Sequence, residues 1–329
     1  YRNDTDSNIH FFKCGIVLPQ NILKNKSSQI DLSVYIKSFL LLMKPRVMSL
    51  VLFTAMVGLL VAPVNVSFTT ASLSLLAVAI GSGAAGALNM WYESDVDAIM
   101  SRTCLRPIPT GKVKREQALL FGIILSFISI VMLYLSSNLI SALLLAATIS
   151  FYFFIYTIWL KRKTAQNIVI GGAAGALPPV IGWAVAMNNI SIEPVIMFLI
   201  IFIWTPSHFW ALSLYKFKDY EKAKIPMLPI TAGIKKTKLN IFIYALLMFP
   251  VVVAPFFTGF GSIVYLVLSL GMTIYYISLC YLLLKTKVVS KSNLIARKVF
   301  VYSIFYLFFL FLLILFDNLF KLNEIMSFF

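Results

Sequence analysis

The chain concentrates charged and amide side chains in one stretch, NMWYESDVDAIMSRTCLRPIPTGK, at residues 89–112. If a helix continues into this stretch, Asn89, Glu93 and Asp97 stand at i, i+4 and i+8 and form one stripe, since each step drifts by only about 40°. Asp95 then points elsewhere. Amide and carboxylate oxygens are the ligands that Mg²⁺ prefers, so the stripe is a candidate metal site.

A second candidate face lies more than 100 residues further on, in TPSHFWALSLYKFKDYEKAKIPMLP. Tyr215 and Asp219 follow His208 by seven and eleven residues, rotations that return to within about 20° of the starting direction. The three side chains share a side if the helix continues past Pro206. We expect Asp219 to be a fourth metal-binding or catalytic group.

Basic residues that could bind phosphate lie beside both acidic stretches. They are Arg102, Arg106, Lys112, Lys216 and Lys218. Arginine binds phosphate through two parallel hydrogen bonds, and a divalent cation neutralises the charge that develops on a departing diphosphate. The pattern therefore predicts a site for a lipid diphosphate, with the tail of the lipid among the membrane spans.

Each of these features has a structural alternative. Charges at a helix end are often a solvated face, and we interpret Asp95, Glu116 and Glu221 in that way. A single histidine on an apolar helix is often structural, but ionisable groups inside a membrane usually have a function. The sequence leaves both interpretations open for His208.

Composition identifies the elements that must position these residues. The chain has 329 residues, of which 60% are hydrophobic and 12% charged, and its mean hydropathy is +0.91. These values are typical of an all-α polytopic membrane protein. Nine apolar runs are long enough to cross about 30 Å of hydrocarbon, at residues 47–64, 71–92, 117–135, 139–160, 168–187, 194–215, 240–258, 262–284 and 299–320.

The basic residues are distributed on one side of these spans. Of the 28 Lys and Arg residues, 27 fall in the amino-terminal segment and the even-numbered loops, which the positive-inside rule assigns to the cytoplasm. Both acidic stretches lie on that same face. The net charge of +16 is thus a signal of topology, and we expect a lipid bilayer and no nucleic acid as its partner.

The sequence predicts a polar amino-terminal tail at residues 1–43 and a single transmembrane domain at residues 44–329. The tail contains one short apolar patch, which Lys13 interrupts, and Arg2 is its only arginine. It therefore fits neither a secretory signal nor an arginine-rich mitochondrial transit peptide. We expect a bacterial inner membrane rather than a mitochondrial one, with the amino terminus and the acidic loops in the cytoplasm.

Taken together, four segments resemble the UbiA-type intramembrane prenyltransferase superfamily. They are the two acidic stretches, KPRVMSL at 44–50 and GGAAGALPPVIGW at 171–183, and the resemblance runs from about Lys44 to the last span. It implies a bundle of about nine helices and a Mg²⁺-dependent prenyltransferase. The chain is most similar to the branch that transfers the farnesyl group of farnesyl diphosphate to a vinyl group of haem B, giving haem O.

The resemblance also implies roles for individual residues. Asn89, Glu93, Asp97 and Asp219 would bind metal and carry catalysis, and the five bases would surround the diphosphate. His208 and Tyr215 would contact haem, which is a substrate and not a cofactor. Contact with a downstream enzyme that processes haem O is a further expectation. Two departures from the superfamily are Glu93, where Asp is commoner, and Ala223, where a second Asp is often found.

Two other functions remain open from the sequence. One is a prenyltransferase for an aromatic quinone precursor such as 4-hydroxybenzoate, which would use the same diphosphate site. The other is a transporter or lipid-binding protein in which the acids hold an ion. The sequence has no evident inverted repeat or paired broken helices to favour a transporter.

Overall fold

A computed structural model describes residues 32–320, and that part of the chain is helical with no strand. The helices are α1 Leu32–Leu42, α2 Pro45–Leu60, α3 Phe68–Tyr92, α4 Ser94–Asp97, α5 Arg115–Ser136, α6 Leu139–Ser150 with a π-helical continuation at Phe151–Leu160, α7 Asn167–Ala176, α8 Pro178–Met187, α9 Ile192–Tyr215, α10 Phe217–Lys222, α11 Leu228–Thr231, α12 Gly233–Phe257, α13 Ile263–Lys285 and α14 Val289–Leu319.

Within the described residues, eight helical segments are long and apolar enough to cross a membrane, or nine if the bent pair α1–α2 counts as one span. α6 and its continuation form one of these segments, and α7 with α8 forms another. Large apolar side chains such as Leu120, Phe127, Val267 and Phe305 are exposed on the outside of the bundle. Lipid contact accounts for their exposure, because helices satisfy their own backbone hydrogen bonds in hydrocarbon. The predicted architecture is confirmed.

α1 was not expected, since it lies inside the range 1–43 that the sequence assigns to a polar tail. Leu42 at its end is fully buried, and α1 contacts α3. Ser38 and Leu42 are the buried residues of the segment LSVYIKSFLLL, whereas apolar side chains such as Leu32 and Leu40 are exposed. Residues 1–31 of the predicted tail, and the carboxyl terminus beyond residue 320, lie outside the described residues.

Two glycines let α2 and α8 pack with their backbones in contact. A Cβ atom on Gly182 would stand 1.9 Å from the carbonyl oxygen of Ala55, and one on Gly58 would stand 2.1 Å from that of Pro179. Small residues at such positions are a common means of close packing in membranes. Pro179 and Gly182, which belong to the segment GGAAGALPPVIGW quoted above, therefore serve the packing of these two helices.

α9 is at the centre of the bundle and leads to the second acidic stretch. It contacts α7, α8, α12 and α14, and Met197, Ile200 and Trp210 are almost completely buried along it. The helix continues through Pro206, so His208 and Tyr215 lie on one helix, as predicted. The predicted face does not continue to Asp219 along the same helix, because α9 ends at Tyr215 and Asp219 lies on the short α10 that follows.

Candidate active site

The predicted stripe of Asn89, Glu93 and Asp97 is present, although α3 ends at Tyr92 and α4 begins at Ser94. Helical hydrogen bonds bridge the interruption: the Glu93 amide donates to the Asn89 carbonyl at 3.0 Å, and the Asp97 amide donates to the Glu93 carbonyl at 2.8 Å. All three side chains are buried, with exposures of 2%, 2% and 3%. Two of them are carboxylates, so they require compensating charge.

Asn89 is held from two other elements. Lys44 donates from Nζ to Asn89 Oδ1, and the Asn89 amide nitrogen donates to Thr157 Oγ1 at 3.1 Å and to Glu93 Oε2 at 3.0 Å. Lys44 reaches this position because α3 has glycine where α1 ends. A Cβ on Gly86 would stand 3.2 Å from the Leu42 carbonyl oxygen.

Thr157 belongs to the π-helical segment Phe151–Leu160. Its hydroxyl donates to the carbonyl of Tyr152, five residues earlier, at 2.9 Å. The hydroxyl oxygen is therefore free to accept from Asn89. Short π-helical insertions occur frequently at functional sites, and this one supplies an acceptor to the base of the stripe.

Glu93 forms an ion pair with Lys161, the first residue after the π-helical segment. Burial lowers the pKa of the Lys161 ammonium, but the Glu93 carboxylate beside it outweighs this effect and leaves the pKa above its usual value. Lys161 is therefore charged at neutral pH and compensates the buried carboxylate.

Asp97 is held by Arg106 in a bidentate ion pair. Arg106 Nη1 lies 2.8 Å from Asp97 Oδ1 and 2.7 Å from Oδ2. The turns that follow α4 fold back over the acid, and Thr103 donates to the Asp97 carbonyl at 3.0 Å. The stripe thus receives one basic side chain at each of its three positions: Lys44, Lys161 and Arg106.

Asp95 points away from the stripe, as the helical geometry predicts. Arg162 forms two hydrogen bonds with it, at 2.7 and 3.0 Å, and 60% of the Asp95 side chain is exposed. Partial burial raises the pKa of the Asp95 carboxyl, but the hydrogen bonds from Arg162 and from backbone amides outweigh this and lower it below its usual value. The pair is a solvated surface contact.

A direct hydrogen bond joins the two acidic stretches. Ser101, four residues beyond Asp97, donates from Oγ to Asp219 Oδ2 at 2.8 Å. Asp219 lies on α10 and is half-buried. The second acid therefore lies against the loop that carries Arg106, and the predicted convergence of the two motifs is observed.

The remaining predicted bases lie around this junction. Arg102, Lys112 and Lys218 are exposed and Lys216 is half-buried. None of these four makes a side-chain hydrogen bond or ion pair within residues 32–320. Arg102 is close enough to Tyr156 and Tyr215 to interact electrostatically with both. These bases are available to an anion.

His208 and Tyr215 occupy one face of α9, apart from the carboxylates. The His208 ring stacks on Trp204 at 4.2 Å and on Phe300 at 4.6 Å between ring centroids, and its Nδ1 lies 2.6 Å from Ser303 Oγ. The ring of Tyr215 meets the edge of Phe300 at 5.8 Å. Phe300 therefore connects the two residues, while no hydrogen bond joins His208 to an acid in the described part of the chain.

The sequence matches the UbiA prenyltransferase family over residues 51–305. The chain belongs to this family.

Several curated members of the UbiA family are close relatives. The protoheme IX farnesyltransferase of Pelagibacter ubique (strain HTCC1062) is 59% identical over 298 residues, which cover 90% of this chain and 98% of the relative. Proteins of the same name from Parvibaculum lavamentivorans (48% identity, 86% and 89% of the two chains) and Ehrlichia ruminantium strain Welgevonden (46%, 90% and 99%) are also similar.

Solved structures share the fold. A structure described for digeranylgeranylglyceryl phosphate synthase has a TM-score of 0.73 at 20% identity, covering 86% of this chain and 98% of its own. A UbiA homolog from Archaeoglobus fulgidus bound to DMAPP and Mg²⁺ has a TM-score of 0.64 at 16% identity, covering 82% and 99%. The predicted family and fold class are confirmed.

The site of this UbiA family member includes residues whose roles the sequence did not reveal. Lys44 lies in the motif KPRVMSL, Ser101 lies in the first acidic stretch and Lys161 is one of the loop bases, but the sequence assigned a role to none of them. Thr157 and Ser303 lie outside the quoted motifs. The position of Lys161, as the first base after an apolar span, was the available signal. Contacts between residues 45 and 68 apart, such as those of Lys44 and Lys161, have no periodicity by which a sequence could reveal them.

The oxygen atoms of the stripe are of the type that Mg²⁺ binds, although Glu93 and Asp97 form ion pairs with basic residues in this structure. Asn89, Glu93 and Asp97 offer buried amide and carboxylate oxygens in one register. Within residues 32–320, no three His, Cys, Asp or Glu side chains cluster closely enough to hold a metal by themselves. A surface cavity of about 410 Å³ is lined by residues such as Trp91, Arg115 and Leu120 and includes none of these acids.

Proposed function

We propose that this UbiA family member transfers the farnesyl group of farnesyl diphosphate to a vinyl group of protohaem IX, giving haem O. The names of its relatives, at 46–59% identity over most of both chains, support the choice of acceptor. The observation that carries the proposal is the junction of the two acidic motifs, in which Ser101, four residues after the buried Asp97, donates a hydrogen bond to Asp219.

In the reaction, the carbon–oxygen bond of the farnesyl ester breaks and its electron pair leaves with the diphosphate. The terminal vinyl carbon forms a carbon–carbon bond with the farnesyl C1. Water adds to the neighbouring vinyl carbon and loses a proton, which completes the hydroxyethylfarnesyl chain. The protein must hold two lipophilic substrates in contact and control the access of water.

Asn89, Glu93, Asp97 and Asp219 would hold Mg²⁺, which when bound neutralises charge on the departing diphosphate. A homologue of the same fold has been solved with DMAPP and Mg²⁺, which supports metal dependence. Lys161 and Arg106 now neutralise Glu93 and Asp97.

If Glu93 and Asp97 held a cation, Lys161 and Arg106 would be free to bind phosphate oxygens. Arg102, Lys112, Lys216 and Lys218 would complete the diphosphate site from the exposed side. Release of Lys161 and Arg106 would then couple the binding of metal to the binding of diphosphate.

We further propose that the chain lies in a bacterial inner membrane with both acidic motifs in the cytoplasm. The bacterial relatives and the one-sided distribution of Lys and Arg support this orientation. Haem O is too lipophilic to leave the bilayer readily, so delivery to a haem O-processing enzyme in the same membrane is part of the proposal.

The test is a transfer assay in membranes from a host without its own haem O activity. Labelled farnesyl diphosphate is supplied with protohaem IX or with 4-hydroxybenzoate, and the products are identified by mass. Wild type should label only haem, and Asp97→Asn should abolish labelling. Asp95→Asn is the matched control, since it removes the same charge two residues away and should retain activity.

Label on 4-hydroxybenzoate instead of haem would replace the proposed acceptor with an aromatic quinone precursor. Full activity of Asp97→Asn in protein that inserts normally would contradict the assignment of the site. Loss of activity in both variants to the same extent would show that the assay does not distinguish the stripe from its surroundings, and would also count against the assignment.

A further inference from the structure

The imidazole of His208 is constrained on every side but one. Trp204 and Phe300 cover its two faces, with ring planes inclined by only 20° and 26°. Ser303 fixes Nδ1 at 2.6 Å. The residue is 7% exposed, and Nε2 has no hydrogen-bond partner within residues 32–320. The ring is therefore held in one orientation with a single nitrogen left open.

The hydrogen bonds around Ser303 also select the tautomer. The Ser303 hydroxyl lies 2.7 Å from the carbonyl oxygen of Phe300, to which it can donate. If Nδ1–H donates to Ser303 Oγ and that hydroxyl donates to Phe300, two hydrogen bonds form. The opposite tautomer, in which the hydroxyl donates to Nδ1, makes only one of these two hydrogen bonds.

The preferred tautomer leaves a lone pair on Nε2, available to a metal or a proton. The ring has aromatic neighbours and no carboxylate bonded to it, so a charged imidazolium would be costly there. Coordination of a metal by neutral imidazole adds no charge to the side chain, and iron is a metal that imidazole suits.

We propose that Nε2 of His208 is the axial ligand to the iron of the haem substrate, and that Ser303 is the positioning residue that fixes its tautomer and ring plane. This inference rests on the proposed function, because it requires haem as the acceptor. Histidines that bind metals commonly donate their other ring nitrogen to a fixed acceptor in this way. Phe300, which contacts both His208 and Tyr215, extends the haem-facing surface towards the cytoplasmic end of α9.

The test is the absorption and electron paramagnetic resonance spectrum of ferric haem bound to the purified protein in detergent. Wild type should show a histidine-ligated iron. His208→Gly should lose that signature and regain it when free imidazole is added, since imidazole can occupy the space between Trp204 and Phe300.

Ser303→Ala tests the positioning role with a smaller change. It should weaken haem binding roughly 10- to 100-fold and alter the ligand-field spectrum, and Ser303→Thr, which keeps the hydroxyl, should restore both. Ser207→Ala is the matched control: Ser207 is also fully buried, but its hydroxyl bonds Tyr276, at 2.7 Å, and not His208.

The outcomes separate this inference from the proposed function. If wild type farnesylates haem but His208→Gly and Ser303→Ala bind it with unchanged spectra and affinity, the ligand assignment is wrong and the function stands. If Ser207→Ala and Ser303→Ala have the same effect, Ser303 has only a packing role. If wild type neither binds nor farnesylates haem, the proposed function itself is wrong.

Discussion

The ion pair between Arg106 and Asp97 should contribute strongly to stability because, within residues 32–320, Arg106 is the basic residue that forms hydrogen bonds with this buried carboxylate. Asp97 is 3% exposed and accepts two hydrogen bonds from the same guanidinium group. Arg106→Ala would leave that carboxylate buried and unpaired. Removal of one partner of a buried pair typically costs about 3–5 kcal/mol.

The expected loss lies at the lower end of that range, about 3 kcal/mol, because Arg106 is itself 26% exposed and water can enter the space it leaves. Arg162→Ala is the control, because Arg162 also forms two hydrogen bonds with a single carboxylate, through Nη1 and Nη2. Its partner Asp95 is 60% exposed, so the loss should be within about 1 kcal/mol. Burial is the main difference between the two pairs.

The free energy of unfolding can be measured in mixed micelles with increasing SDS, without substrate. Arg106→Ala should be the less stable of the two single variants, and Arg106→Ala with Asp97→Asn should recover most of the loss because no buried charge remains. If Arg106→Ala and Arg162→Ala were equally stable, or if the double variant were as unstable as Arg106→Ala alone, the reasoning from burial would be refuted.

Three further predictions follow from the same structure. Gly182→Ala should destabilise the protein severely, because its Cβ would stand 1.9 Å from a backbone oxygen of α2. Gly175→Ala should be tolerated, because a Cβ there would have no atom within 4 Å, and the two variants can be compared by their midpoints of unfolding. Mg²⁺ and an unreactive farnesyl diphosphate analogue together should raise the midpoint of thermal unfolding by more than the sum of their separate effects. Additive shifts would contradict the proposal that metal binding releases Lys161 and Arg106 to bind the diphosphate. The lowered pKa of Asp95 means that its stabilising contribution is present above the pKa of the unfolded state and is lost as the pH falls through the lower folded value. Arg162→Ala should reduce this acid-dependent part of the stability, measured between about pH 5 and pH 2, because the hydrogen bonds from Arg162 are the largest cause of the lowered pKa.

The spans and the stripe could be predicted because both depend on local periodicity. A run of apolar residues is a span regardless of its neighbours, and the spacing of Asn89, Glu93 and Asp97 fixes their common face as long as the backbone stays helical. The structure shows that it does, through the amide of Glu93 at the junction of α3 and α4. The continuation of α9 past Pro206 had to be assumed, and it too is observed.

The partners of these residues could not be predicted, because they come from elements distant in the sequence. Lys44 reaches Asn89 because α1 ends against Gly86 of α3. α1 itself lies in the range that the sequence assigns to a polar tail. Thr157 faces Asn89 through a π-helical segment that changes the register of the residues that follow it. A pattern read at about 100° per residue misplaces side chains in such a segment.

α9 connects the two halves of the proposed reaction. His208 lies about 10 Å along the helix from Tyr215, and α10 with Asp219 follows directly. Trp204 donates to the Ser303 carbonyl of α14 at 2.8 Å, and Ser207 bonds Tyr276 of α13 at 2.7 Å, so polar contacts hold this part of α9 inside the bundle.

Transfer requires the farnesyl carbon and the vinyl carbon to approach within about 3–3.5 Å. If His208 positions the acceptor and Asp219 the donor, the separation of the substrates depends on α9 and on the short α10 that follows it. The dense packing around α9 then serves the reaction as well as the fold, because any shift of this helix would move one substrate site relative to the stripe on α3.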